Sequence, residues 1–180
     1  MISALAGTAV VSGLAPAAVG GFASVVMLTP VNAQAEDPAA RRRFVGQFGY
    51  AFTPALLASR SGDEVEFSND EEVIHNVHVV DRATGETVFN VTTLQGIPYA
   101  HTFDEAGVYD VSCNVHPQMS AIVVVDAARF MTVADQEGRF SLKNVPGGTY
   151  TVRVWNPDPT RRSERRVEVV EPEIRLELTS

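Results

Sequence analysis

Val108-Tyr109-Asp110-Val111-Ser112-Cys113-Asn114-Val115-His116-Pro117-Gln118-Met119 reads as a strand running into a loop of metal-binding side chains. Up to Cys113 the apolar positions recur every second residue, so Tyr109, Val111 and Cys113 share one face of a β-strand and the thiol closes a core-facing row. Pro117 stiffens the loop, and residues 121–126 return as a strongly apolar strand, so two consecutive strands hold both ends of the loop. A thiolate, an imidazole and a thioether this close together form a donor set that copper uses. Zinc and iron sites draw on thiolate, imidazole and carboxylate, whereas two His and one Cys in a plane, with a long axial Met, make a blue-copper electron-transfer site. The second imidazole is expected from His75.

The sequence around the loop repeats the period of two. In residues 64–69, Val65 and Phe67 alternate with Glu64, Glu66 and Ser68, which buries one face and wets the other. After the acidic connection Asp70-Glu71-Glu72, residues 74–81 place His75, Val77 and Val79 on one face and Asn76, His78 and Val80 on the other. His75 therefore points with the apolar set, and His78 is expected at the surface. Turn residues at Ser61-Gly62-Asp63, Thr84-Gly85, Gly96-Ile97-Pro98 and Glu105-Ala106-Gly107 separate further strands near 87–91 and 99–103. The expected class is all-β, a sandwich or barrel of antiparallel strands over residues 44–126.

Residues 127–180 read as a second, shorter β-unit, with turns at Asp135-Gln136-Glu137-Gly138 and Val145-Pro146-Gly147-Gly148 and strands at 139–142, 150–154, 166–170 and 174–178. Its length is small for an independent core, so it is expected to pack on the first unit. Residues 1–35 hold no charged side chain and end in Ala33-Gln34-Ala35, which reads as a secretory signal cleaved after Ala35, or as a membrane anchor if retained. A periplasmic or otherwise exported location is expected. The single cysteine of the 180 residues excludes an internal disulfide, and metal ligation would protect the thiol.

Charge divides unevenly. Residues 44–126 carry 12 acidic and 2 basic side chains, a field that would repel nucleic acid and serves either to steer a basic partner or simply for solubility, whereas 127–180 carry 8 acidic and 9 basic. The cluster Arg161, Arg162, Arg165 and Arg166 reads as a solvated loop. Each candidate ligand has a plainer reading taken singly: a buried Cys, a satisfied core His, a Met that fills space. Only their combination points to a metal. No Ser-centred nucleophile elbow, phosphate-binding glycine loop or H-E-x-x-H motif competes, and four histidines are too few for a further copper centre of the oxidase kind, so an enzyme is not expected.

Gly62-Asp63 with Val65, Phe67 and Asn69, then Val73-Ile74-His75-Asn76-Val77-His78 and residues 107–119, resemble a cupredoxin of the plastocyanin and amicyanin group. The resemblance covers residues 44–126, with the short Cys-x2-His-x2-Met loop nearest to amicyanin. It implies a Greek-key β-sandwich holding one copper ion on His75, Cys113, His116 and Met119. It also implies that His116 is the electron port, that Asn76 anchors the thiolate loop beside Pro117, and that redox proteins serve as donor and acceptor. Residues 135–155 resemble part of a carboxypeptidase regulatory-like, transthyretin-like β-sandwich whose first strands are lacking, so that unit is expected to be a partial sandwich. Two other roles use the same residues: copper delivery or storage, and an envelope β adaptor with a vestigial site.

Overall fold

A computed structural model describes residues 8–32, 39–170 and 172–179. Its strands in chain order are β1 (Thr8–Leu14), β2 (Val25–Pro30), β3 (Arg42–Phe48), β4 (Ala51–Thr53), β5 (Leu56–Arg60), β6 (Glu64–Asn69), β7 (His75–Asp81) and β8 (Thr87–Thr93). There follow β9 (Tyr99–Thr102), β10 (Gly107–Ser112), β11 (Ser120–Asp126), β12 (Phe130–Val133), β13 (Arg139–Pro146), β14 (Gly148–Trp155), β15 (Ser163–Val169) and β16 (Glu173–Glu177). The all-β class is as expected, with one short 3-10 turn at Pro159–Arg161 among the described residues. The chain forms two compact units, one of residues 38–127 and one of residues 1–37 with 128–180.

The unit of residues 38–127 has two sheets, in the orders β4-β3-β6-β9 and β5-β11-β10-β7-β8. Alternation sets what each strand buries. Val65 and Phe67 of β6, Val77 and Val79 of β7, Tyr109 and Val111 of β10 and Val123 and Val125 of β11 form one apolar cluster, which Cys113 and Met119 extend. Buried Asp63 closes the turn before β6. Its carboxylate accepts from the Arg41 N–H at 2.9 Å, the Arg60 N–H at 3.2 Å and the Arg43 guanidinium at 3.4 Å. Burial works to raise its pKa, but the two backbone donors and the cations of Arg60 and Arg43 outweigh it, and the carboxyl is held below the ordinary range.

The other unit differs from the expected division of the chain at residue 35. β1 lies between β13 and β16 in a three-stranded sheet, and β2 lies between β12 and β14 in a four-stranded one. The segment that reads as a leader thus supplies the central strands of both sheets for residues 8–30, and the partial sandwich expected of 127–180 is completed from the N-terminal end of the chain. The physical reason is that a strand with neighbours on both edges and a covered face is apolar almost throughout, which is also the composition of a signal's apolar region. Val11, Val25, Val26 and Leu28 are fully buried. Pro16, Gly20 and Gly21, which weaken a helix, fall in the connection between the two strands. At Gly138, with φ +89°, a Cβ would meet the Ala15 carbonyl oxygen at 2.0 Å, so the N-terminal segment lies directly against this turn. The expected cleavage site at Ala35 lies outside the described residues.

Candidate metal centre

Three strand ends and one hairpin loop bring the predicted side chains together. His75 is the first residue of β7 and pairs with Thr93 of β8, while Ser112 and Ser120 pair across the β10–β11 hairpin whose loop carries Cys113, His116 and Met119. The loop is closed by its own backbone: the Met119 N–H donates to the His116 carbonyl at 2.9 Å and the Cys113 N–H to the Met119 carbonyl at 3.3 Å. Cys113 and His75 are buried, Met119 is buried beneath the loop, and His116 is half-buried.

The donor atoms form a tight triangle. Cys113 Sγ lies 4.0 Å from His75 Nδ1 and 3.8 Å from His116 Nδ1, and the two Nδ1 atoms are 3.0 Å apart. A point equidistant from three atoms so spaced lies about 2.1 Å from each, close to the about 2.0–2.3 Å that imidazole nitrogen and thiolate sulfur keep from a metal ion of this size. Residues and spacing therefore fit one ion with a mixed nitrogen and sulfur shell. This is the one group of three or more His, Cys, Asp or Glu donors close enough to hold a metal among the described residues.

The outer contacts fix the inner ones. Asn76 Oδ1 accepts from the Asn114 N–H at 2.6 Å and its Nδ2 donates to Asn90 Oδ1 at 2.7 Å, so the thiolate loop hangs from the residue after His75. His75 Nε2 lies 2.7 Å from Glu71 Oε1, and in the neutral tautomer that donates to this carboxylate Nδ1 keeps a lone pair facing the triangle. The His75 hydrogen bond, joined by the Tyr50 and Gly49 N–H groups, holds the Glu71 carboxyl below the ordinary range. Beneath this loop is a buried polar network. Thr93 donates to Gln47 Oε1 at 2.6 Å, Gln47 Nε2 to the Asn76 carbonyl at 3.3 Å, and Asn69 Nδ2 to the Val73 and Thr93 carbonyls at 2.7 and 3.1 Å. Such a paired network resists rearrangement.

Sequence reasoning missed Glu71, Gln47 and Tyr50. Glu71 stood in an acidic run that reads as a solvated connection, and only the turn of the chain aims it at His75. Pro117 is exposed on the loop, and His78 and His101 are not among the converging donors. His78 Nε2 lies 2.9 Å from Thr87 Oγ1. His101 packs between Phe89 and Phe103 at 4.8 Å from each, where burial holds its pKa below the ordinary value. In the arginine cluster, Arg162 donates to the Asn156 carbonyl, Arg165 to the Glu177 carbonyl, and Arg161 pairs with Asp158.

Residues 45–126 match the family described as copper binding proteins, plastocyanin/azurin family, and residues 102–172 match polysaccharide lyase family 4, domain II. The second match supports a further β-domain toward the C-terminus and names a different family from the carboxypeptidase regulatory-like one. Amicyanin of Paracoccus denitrificans is 40% identical over 75 residues, which are 41% of this chain and 56% of the relative. Amicyanin of Paracoccus versutus is 37% identical over 68 residues, 37% of this chain and 52% of the relative. The chain spans about half the length of these relatives. Among solved structures, amicyanin from Paracoccus versutus aligns at a TM-score of 0.43 and 28% identity over 55% of this chain and 97% of that one. A purple cupredoxin from Nitrosopumilus maritimus gives 0.41 and 26% over 46% and 98%.

Proposed function

We propose, from the match of residues 45–126 to copper binding proteins of the plastocyanin/azurin family, that this chain is a one-copper electron carrier between larger redox proteins. The observation that carries it is the triangle of Cys113 Sγ, His75 Nδ1 and His116 Nδ1. In this reading those three atoms would hold the ion, and Met119 would add its thioether. Copper held there would supply a one-electron couple, whose potential the Met119 thioether would tune.

The protein's part is to keep one geometry for both oxidation states. Glu71 fixes the tautomer and plane of His75, Asn76 ties the loop of Cys113 to β7, and two strands clamp the ends of that loop. Little reorganisation is then left for electron transfer. His116 is the ligand nearest solvent and serves as the port. The exposed side chains of Phe48, Tyr50, Ile74, Leu94, Ile97 and Val115 lie on the loops at this end and offer an apolar rim for a partner. The acidic excess of residues 44–126 favours a basic partner. No enzymatic step is assigned. Residues 8–30 are kept in the working protein, because two sheets are built on them.

The test is visible absorption and EPR of the full chain titrated with Cu(II), with Cys113→Ser as control. An intense thiolate-to-copper band with narrow copper hyperfine splitting, lost in the variant, is the expected result. Reversible one-electron cycling without loss of metal separates a carrier from a delivery protein. A pale tetragonal spectrum would sink the carrier reading.

A further inference from the structure

The hairpin between β3 and β4 turns on two residues, because Phe48 pairs with Ala51 and leaves only Gly49 and Tyr50 between them. Both have left-handed backbones, with φ of 61° and 58°. Turns of this kind favour Gly and Asn, since a Cβ in that region crowds the backbone. A tyrosine at the second position runs against that preference. Its backbone is held in place: the Tyr50 N–H donates to Glu71 Oε1 at 3.4 Å and the Gly49 N–H to Oε2 at 3.3 Å. The Tyr50 ring is 45% exposed, so core packing does not explain it. It meets the His116 ring edge-on at 4.9 Å and 77°, and the His75 ring at 6.0 Å and 81°.

The two imidazoles have unequal support. His75 is fully buried and its far nitrogen is bound by Glu71. His116 is half-buried on a loop whose Asn114, Val115, Pro117 and Gln118 are exposed. We infer that Tyr50 is a positioning residue for His116: its ring edge bars the imidazole from swinging toward solvent and covers the open side of the donor triangle. Glu71 thereby governs both imidazoles, His75 by a direct hydrogen bond and His116 through the turn that carries Tyr50. This rests on His116 being a ligand, as proposed above.

The experiment compares the full chain with Tyr50→Gly and Tyr50→Phe. Glycine suits the left-handed turn, so loss of the ring is separated from loss of the fold, and phenylalanine keeps the ring edge without the hydroxyl. In the metal-free protein, NMR of the His116 side chain is expected to show a single ring orientation with contacts to Tyr50, and rotamer averaging in Tyr50→Gly while His75 stays fixed. With copper loaded, release to a chelator is expected to be about three- to tenfold faster in Tyr50→Gly, the size of one edge-on aromatic pair. Tyr50→Phe is expected to match the wild type in both. Unchanged His116 rotamers and release in Tyr50→Gly would overturn the inference, as would a Tyr50→Phe variant that behaves like Tyr50→Gly. Should the wild type lack a thiolate-to-copper band, the carrier reading fails on that ground, and the metal-free NMR still decides the role of Tyr50.

Discussion

Glu71 joins two halves of the site: one carboxylate oxygen holds His75 and both reach the β3–β4 turn. Outer contacts of this type typically contribute tenfold or more to metal affinity. Glu71→Ala is expected to weaken copper binding by about tenfold to hundredfold, read by competition with a chelator, while Glu71→Gln, which keeps an acceptor, recovers part of the loss. Met119 acts at the same scale. As the ligand proposed above, its buried thioether would tune the copper potential, and Met119→Leu is expected to raise it, read by voltammetry, with the thiolate band retained. An unchanged potential would remove Met119 from the ligand set.

At the scale of elements, the turn before β6 depends on Asp63, which ties the segments of Arg41 and Arg43 to Arg60. Removing one partner of a buried ionic cluster leaves the others without compensation, so Asp63→Ala is expected to destabilise the copper-binding unit by about 3 kcal/mol in urea unfolding. The sign of the pH effect follows from the lowered pKa. Its contribution is complete above the ordinary carboxyl value of 3.8, which applies to the unfolded chain, and is lost as pH falls through the lower folded value. The acid limb of stability against pH is therefore expected to be shallower in Asp63→Ala. In the other unit, Gly138→Ala drives a Cβ against the Ala15 carbonyl at a left-handed position and is expected to cost about 1–3 kcal/mol or more, read by thermal unfolding.

Over the whole molecule, the copper-binding unit is one continuous segment, and the other unit is assembled from the two sides of it. A chain starting at Glu36 is therefore expected to keep the spectrum of the metal site and to lose the fold of residues 128–180. That segment would turn protease-sensitive, since β13 and β16, and likewise β12 and β14, lose the strand between them. Limited proteolysis with mass spectrometry reads the outcome. N-terminal sequencing of the protein recovered from its cell is expected to find residues 8–30 present, and a start at Glu36 would remove the basis for their retention.

Local rules gave most of the copper-binding unit. Period-two alternation placed β6, β7, β10 and β11 close to their observed bounds, because each strand buries one face and wets the other. The Cys-x2-His-x2-Met loop pointed to candidate donors because few residue types bind copper and they stand in one short loop. Strands β3 to β5 were not read from the sequence, since residues 42–60 carry weaker alternation and Pro54 interrupts them. His75 was legible as inward-facing, but its 3.0 Å approach to His116, the Glu71 contact and the Tyr50 ring belong to segments far apart in the chain. Likewise, an uncharged apolar run has the same composition as a leader or as a central strand, and only pairing with β12 to β14 and β16 distinguishes them. The class, the strand faces and the candidate donors were legible in the sequence, because they follow from local periodicity and ligand chemistry. The tertiary structure alone decided the partners of residues 8–30 and the supports of the donors, because hydrogen bonds and strand edges are satisfied by whatever the fold brings near.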